Sequence, residues 1–157
     1  MAEAVANEWI EQVLAEHRHL RTVEADMQEF LGGPRPRLGG KDAQAWAAEL
    51  AMRILHLHDE LLRHFSFEED SDIVEDLTIR HPEAGREIQE VLAEHPMMLS
   101  EIRRIITDLL RYSEGKNPED PHLRRRISSL LESLDEHERN ETRLIQRLEY
   151  RDFGTGD

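Results

Sequence analysis

Two segments of this chain carry an apolar row at the helical period that turns, part-way along, into a histidine and a carboxylate. In the first, Leu57 and Leu61 are followed at the same steps by His64 and Glu68; in the second, Leu130 and Leu134 lead into His137 and Glu141, after which Leu144 and Leu148 resume the row. Steps of three and four keep every one of these residues on one face of an α-helix. Residues four apart lie about 40° apart around the axis, so each His-x-x-x-Glu pair projects side by side into the same space. A carboxylate set in an apolar seam is costly unless something positive or hydrogen-bonding meets it. The two pairs therefore need partners, and a bound metal ion would serve both.

The same period recurs elsewhere and sets the fold class. A helix is expected over about residues 2–30, with Ile10, Val13 or Leu14, His17, Leu20, Met27 and Leu31 on its inner face. Gly32-Gly33-Pro34 ends it, and the following glycine- and proline-rich stretch reads as a loop closing on Asp42 as N-cap. A second helix is expected over 42–77 and a third over 85–111, the latter with Ile88, Leu92, His95, Leu99, Ile102, Ile106 and Leu109 inside; a fourth covers 121–150, and 151–157 reads as a loose tail. Four long amphipathic helices with short connections predict a single all-α domain over 1–157, an up-down-up-down antiparallel four-helix bundle. Pro96 has no amide hydrogen to give the Leu92 carbonyl, yet the apolar row crosses it, so a bend between Leu92 and Pro96 is expected rather than a helix end.

An internal repeat places the partners. Val-Leu-Ala-Glu-His occurs at 13–17 and again at 91–95, each time on the helix before one that carries His-x-x-x-Glu. In an antiparallel bundle the two halves face each other, which brings His17, His64, His95, His137, Glu68 and Glu141 to one level of the core. The chain has nine histidines. Of the other five, His19, His58, His81 and His122 read as exposed or locally hydrogen-bonded, and His56, at the edge of the row, reads as a surface residue, with support of the site as the alternative.

Composition removes several function classes. A formal charge of −14 argues against nucleic acid, whose binding rests on neutralising phosphates. With no cysteine there are no thiolate ligands, disulfides or iron–sulfur clusters. The apolar runs are far too short for a bilayer span, and the segment beginning MAEAVANEW lacks a basic stretch followed by an apolar one, so no membrane partner and a cytoplasmic location are expected. Nitrogen and oxygen ligands without sulfur suit iron, manganese or zinc, and two carboxylates able to bridge point to a pair of ions.

A histidine on the first helix, His-x-x-x-Glu on the second, a histidine on the third and His-x-x-x-Glu on the fourth is a pattern that resembles the hemerythrin-like, or HHE cation-binding, family over nearly the whole chain. Phe-Ser-Phe-Glu-Glu-Asp after His64 and the closing Tyr-Arg-Asp-Phe-Gly-Thr-Gly-Asp add to the likeness. The resemblance implies a hemerythrin-like bundle holding two iron ions, a di-iron centre with a bridging oxo or hydroxo group. By that likeness His17 and His64 would bind one iron, His95 and His137 the other, and Glu68 and Glu141 would bridge.

The departures narrow the chemistry. Oxygen carriers of the family have a second histidine where this chain has Leu99, and their fourth-helix carboxylate stands at +5 rather than +4. The set here is closer to iron-sensing members, a likeness that Glu138, beside His137, strengthens, although the simple reading of Glu138 is a solvated surface residue. The expected function is a non-haem di-iron protein that binds or reacts with a small diatomic or peroxide ligand (oxygen, peroxide or nitric oxide) for sensing or detoxification, with Phe65, Met98, Leu99, Leu134 and Leu144 as the dry walls of its pocket. Ferritin-like iron handling or oxidation is one alternative, with Glu24 on the His17 stripe as the hint of an ion path and an Arg21–Glu24 surface pair as its simpler explanation. A non-catalytic, iron-dependent interaction module is the other. Turnover and oligomeric state are left open.

Overall fold

The computed structural model describes residues 2–34, 36, 40–118 and 120–154. The protein is all-α: among these residues are five α-helices, α1 (Ala2–Gly32), α2 (Lys41–Glu68), α3 (Ser71–Arg80), α4 (Gly85–Ser113) and α5 (Leu123–Gly154), and a 3-10 turn at Pro82–Ala84. The helices form a closed ring of neighbours. α1 packs on α2 and α5, α2 on α4, and α4 on α5, while the short α3 lies against α1 and α4. None of the described helices is long and apolar enough to cross a membrane.

The core is divided in two. One apolar cluster gathers Leu20, Met27 and Leu31 of α1, Leu50, Ile54, Leu57 and Leu61 of α2, Leu99, Ile102 and Leu109 of α4, and Ile127 and Leu134 of α5. The other gathers Trp9, Ile10 and Val13 of α1, Leu77 of α3, Ile88 and Val91 of α4, and Leu144, Ile145 and Leu148 of α5. The first cluster takes the C-terminal parts of α1 and α4, the N-terminal part of α5 and α2 from Ala43 to Phe65, while the second takes the opposite ends of α1, α4 and α5 and the partly buried Phe67 at the end of α2, so α1 and α4 run opposite to α2 and α5. Between the clusters lies a layer of buried polar groups, in which His17, His64, Glu68, His95, His137 and Glu141 each stand at a core step of their helices.

Three expected boundaries are corrected. The helix expected over 42–77 is two helices, because Asp70 caps a new one: its carboxylate accepts from the amides of Asp72 and Ile73 at 3.1 and 3.3 Å. Asp42 is not the N-cap of α2; Gly40 occupies that position without a side-chain bond, and Asp42 lies in the first turn, where its charge faces the positive end of the helix dipole. α5 extends to Gly154, so residues 151–154 of the expected tail are helical, and 155–157 lie outside the described residues, as do 35 and 37–39 of the loop after α1. α4 runs through Pro96 without a break. Its inner face is turned slightly from expectation, with Val91 and Ile105 buried and Leu92 and Ile106 only partly so.

Candidate metal centre

All six expected ligands meet in the polar layer, and none is more than 5 % exposed. Four elements deliver them: His17 from α1, His64 and Glu68 from α2, His95 from α4, and His137 and Glu141 from α5. Every histidine turns Nε2 inward. His17 Nε2 lies 2.8 Å from Glu141 and 3.4 Å from Glu68; His95 Nε2 lies 3.1 Å from both Glu68 and His137 Nε2; His137 Nε2 lies 3.2 Å from Glu141; and His64 Nε2 touches Glu68. The donor atoms fall into two overlapping groups that could each hold a metal ion, one of His17, His64, Glu68 and Glu141, the other of Glu68, His95, His137 and Glu141. Both carboxylates belong to both groups.

The outward-facing Nδ1 atoms are held as well, and in a pattern that follows the internal repeat. Glu16 accepts from His64 Nδ1 at 2.6 Å, and Glu94, its counterpart in the second Val-Leu-Ala-Glu-His, accepts from His137 Nδ1 at 2.9 Å. His95 Nδ1 meets Glu69 at 2.9 Å and His17 Nδ1 meets Thr142 Oγ1 at 3.1 Å, and these two partners each directly follow a shared carboxylate. A proton on Nδ1 leaves Nε2 with a free lone pair, which is the tautomer a metal needs. The end of α2 at Glu68 matters here, because it lets Glu69 leave the helical row and reach His95. The signal for these four residues lay in the sequence: Glu16 and Glu94 are the fourth letters of the repeated pentapeptide, and Glu69 and Thr142 stand one place after the paired glutamates.

The donor set fits metal better than it fits hydrogen bonding alone. His64 Nε2, Glu68 Oε2 and Glu141 Oε2 are buried without a hydrogen-bond partner among the described residues. Several N···O approaches at 3.1–3.2 Å lack hydrogen-bond alignment, as expected of ligands aimed at a common point between them. Without metal the charges must balance internally. Burial lowers the pKa of His17, but its bonds to Glu141 and Glu68 outweigh that and raise it to about 9. His95 is likewise lowered by burial and raised further by Glu141 and Glu68, to about 10. Burial pushes the Glu141 carboxyl up, yet its neighbours Glu68, His137, His17 and His95 hold it well below the usual range. A cation at this level would replace those protons.

Phe65 closes one side of the centre, stacked on the His95 ring at 3.8 Å and edge-on to His137 at 5.7 Å. The void lies elsewhere. A cavity of about 40 Å³, almost wholly apolar, is lined by Trp9, Val74, Leu77, Ile88, Val91, Leu92, Leu144, Ile145 and Leu148, and it touches Glu68 and Glu141. Of the five expected walls only Leu144 lines it. Met98, Leu99 and Leu134 pack into the first apolar cluster on the opposite side of the polar layer.

Glu138 is also corrected: it is 2 % exposed, buried beside Glu24, which is 8 % exposed. Arg21 comes within 4.0 Å of Glu138. His56 and His19 are at the surface, both near Glu60, His58 bonds to its neighbour Asp59 and accepts from Arg103 of α4, and His122 is exposed. His81, expected at the surface or locally bonded, is buried between α3 and the 3-10 turn, with Nδ1 3.8 Å from Glu83. In comparisons with known proteins, no family model, curated protein or solved structure matches this chain.

Proposed function

We propose that this protein is a non-haem di-iron protein that binds or reacts with oxygen, peroxide or nitric oxide, and that α1, α2, α4 and α5 form a hemerythrin-like up-down-up-down bundle with α3 laid over one end of the site. One observation carries the reading. Glu68 and Glu141 each belong to both ligand groups and both border the apolar cavity. Carboxylates shared between two ions would hold them as a pair, and a dry space against them is the place for a small ligand of low polarity. About 40 Å³ admits a diatomic or a peroxide and little more.

The residues divide the work. His17, His64, His95 and His137 would supply one imidazole nitrogen each and Glu68 and Glu141 their oxygens, and with Leu99 in place of a further histidine the His95–His137 group would offer no more imidazoles than the His17–His64 group. Bound iron would supply the redox chemistry. Trp9, Leu77, Leu144 and Leu148 give the cavity its apolar lining, and Glu16, Glu94, Glu69 and Thr142 fix the orientation of the four rings. The ring of neighbours and the alternating helix directions support the bundle.

Metal analysis of the purified protein, followed by visible spectra of the reduced form exposed in turn to oxygen, nitric oxide and peroxide, tests this. The proposal expects iron in pairs and a spectral response to one of the three. Protein without metal, or a loaded form inert to all three, would overturn it.

A further inference from the structure

The six ligands are sealed from solvent, so an ion must reach them through the packed interior or wait for the helices to part. On the α1–α5 side the buried polar layer continues past the ligands, through Glu24 and Glu138. On α1 the inner row reads Leu20, Glu24, Met27, Leu31, with Glu24 filling a core step where an apolar residue would pack. Across from it on α5 stands Glu138, next in the chain to His137 and one turn before Glu141. The two carboxyl groups face one another and both feel the charge of His17.

Neither oxygen of Glu138 has a hydrogen-bond partner among the described residues, nor does Oε1 of Glu24. Arg21 Nε, the nearest cation, stands 4.0 Å from Glu138, beyond hydrogen-bonding distance, on a side chain that is half exposed. Asp135, one turn before Glu138 on α5, is also half exposed, is paired with Arg139 at the surface and acts on Glu24 electrostatically, which extends the acidic line to the surface. Facing buried carboxylates with no donor between them demand a proton or a cation.

We propose that Glu24 and Glu138 form a divalent-cation site, the last station through which metal ions pass from the surface at Asp135 to the six-ligand centre. The inference rests on the metal-centre reading. Oxygen-only ligation by two carboxylates and water suits ferrous or manganous ions, holds them loosely, and leaves them one helical turn from Glu141 along α5 and two from His17 along α1, whose nitrogen and oxygen ligands bind more tightly. Arg21, tethered by a flexible stem at the surface, offsets part of the charge from 4.0 Å when no ion is there and can swing aside when one is.

The test is the rate at which metal-free protein takes up cobalt(II), followed by the visible absorption of the bound ion in a stopped-flow instrument. Glu24→Gln and Glu138→Gln should load about tenfold or more slowly, since an attractive field in a cleft raises ion encounter by at least that much. Their final metal content and the melting temperature of the loaded form should match the parent, and Glu24→Asp, which keeps the charge, should recover most of the rate. Variants that load as fast as the parent would overturn the proposal and show a proton-sharing pair instead. A parent protein that takes up no cobalt would bring down the metal-centre reading as well, and so the two failures are distinguishable.

Discussion

Replacing Glu16 with alanine should weaken metal binding at one of the two ligand groups and leave the other nearly intact. Glu16 touches no metal position; its carboxylate accepts the Nδ1 proton of His64 at 2.6 Å. Losing such a partner typically costs about 10–100-fold in metal affinity, because the ring then rotates and its tautomer is no longer set. That corresponds to about 1.4–2.7 kcal/mol. The structure places this case toward the upper end and the equivalent Glu94→Ala toward the lower. Glu16 is 31 % exposed and close to its ring, whereas Glu94 is 48 % exposed and 2.9 Å away, so water replaces it more readily. Competition with a chromophoric chelator resolves the outcome: the parent should release its ions in a near-common step, and Glu16→Ala should show one weakened step assigned to the His17–His64 group. Equal weakening of both steps, or none, would refute the one-to-one pairing of Glu16 with His64.

Other outcomes follow from the same geometry. In the metal-free protein, the raised pKa values of His17 and His95, about 9 and about 10, mean that the folded form binds protons the unfolded chain gives up near 6.5. Their stabilisation is fully present below about pH 6.5 and is lost as pH rises through 9 to 10, so the melting temperature of the metal-free form should fall over that interval while the gain on adding metal grows; a gain that does not change with pH would contradict this. Metal uptake at neutral pH should release protons, which calorimetry in buffers of different ionisation enthalpy would count. Asp70→Ala removes the cap of α3 and should cost about 0.5–2 kcal/mol by denaturant unfolding, while increasing water access to the apolar cavity that Val74 and Leu77 cover. Leu99→His, one turn after His95 and buried, should add an imidazole to the His95–His137 group and change the visible spectrum of the loaded protein; an identical spectrum would place position 99 away from the ion.

The six side chains that meet in the polar layer were legible in the sequence because each one interrupts an apolar row at a core step, and a buried charge at such a step has few explanations. Glu24 interrupts its row in the same way, between Leu20 and Met27. Glu138 could not be read so simply, since the residue after a core position points about 100° away and is ordinarily solvated. α5 packs against both α1 and α4, so its buried arc is wide enough to include Leu130, Leu131, His137 and Glu138 together. The end of α2 was hidden by Ile73, Val74 and Leu77, which continue the apolar period past the break; Asp70-Ser71-Asp72 was the local signal, a capping residue followed by an acidic first turn. The cavity walls lie on the far side of the polar layer from most of those expected, because a void is set by how α3 and α5 settle over Trp9 and Ile88, which periodicity does not encode.

The central claim is that two ions are held together by shared carboxylates, and metal content of single-carboxylate variants tests it most directly. Element analysis should find two equivalents in the reconstituted parent and close to none in either Glu68→Ala or Glu141→Ala, since each glutamate belongs to both ligand groups. A variant that retains one full equivalent, with its fold intact by circular dichroism, would show that the ions bind independently and that the carboxylate it lost is not shared.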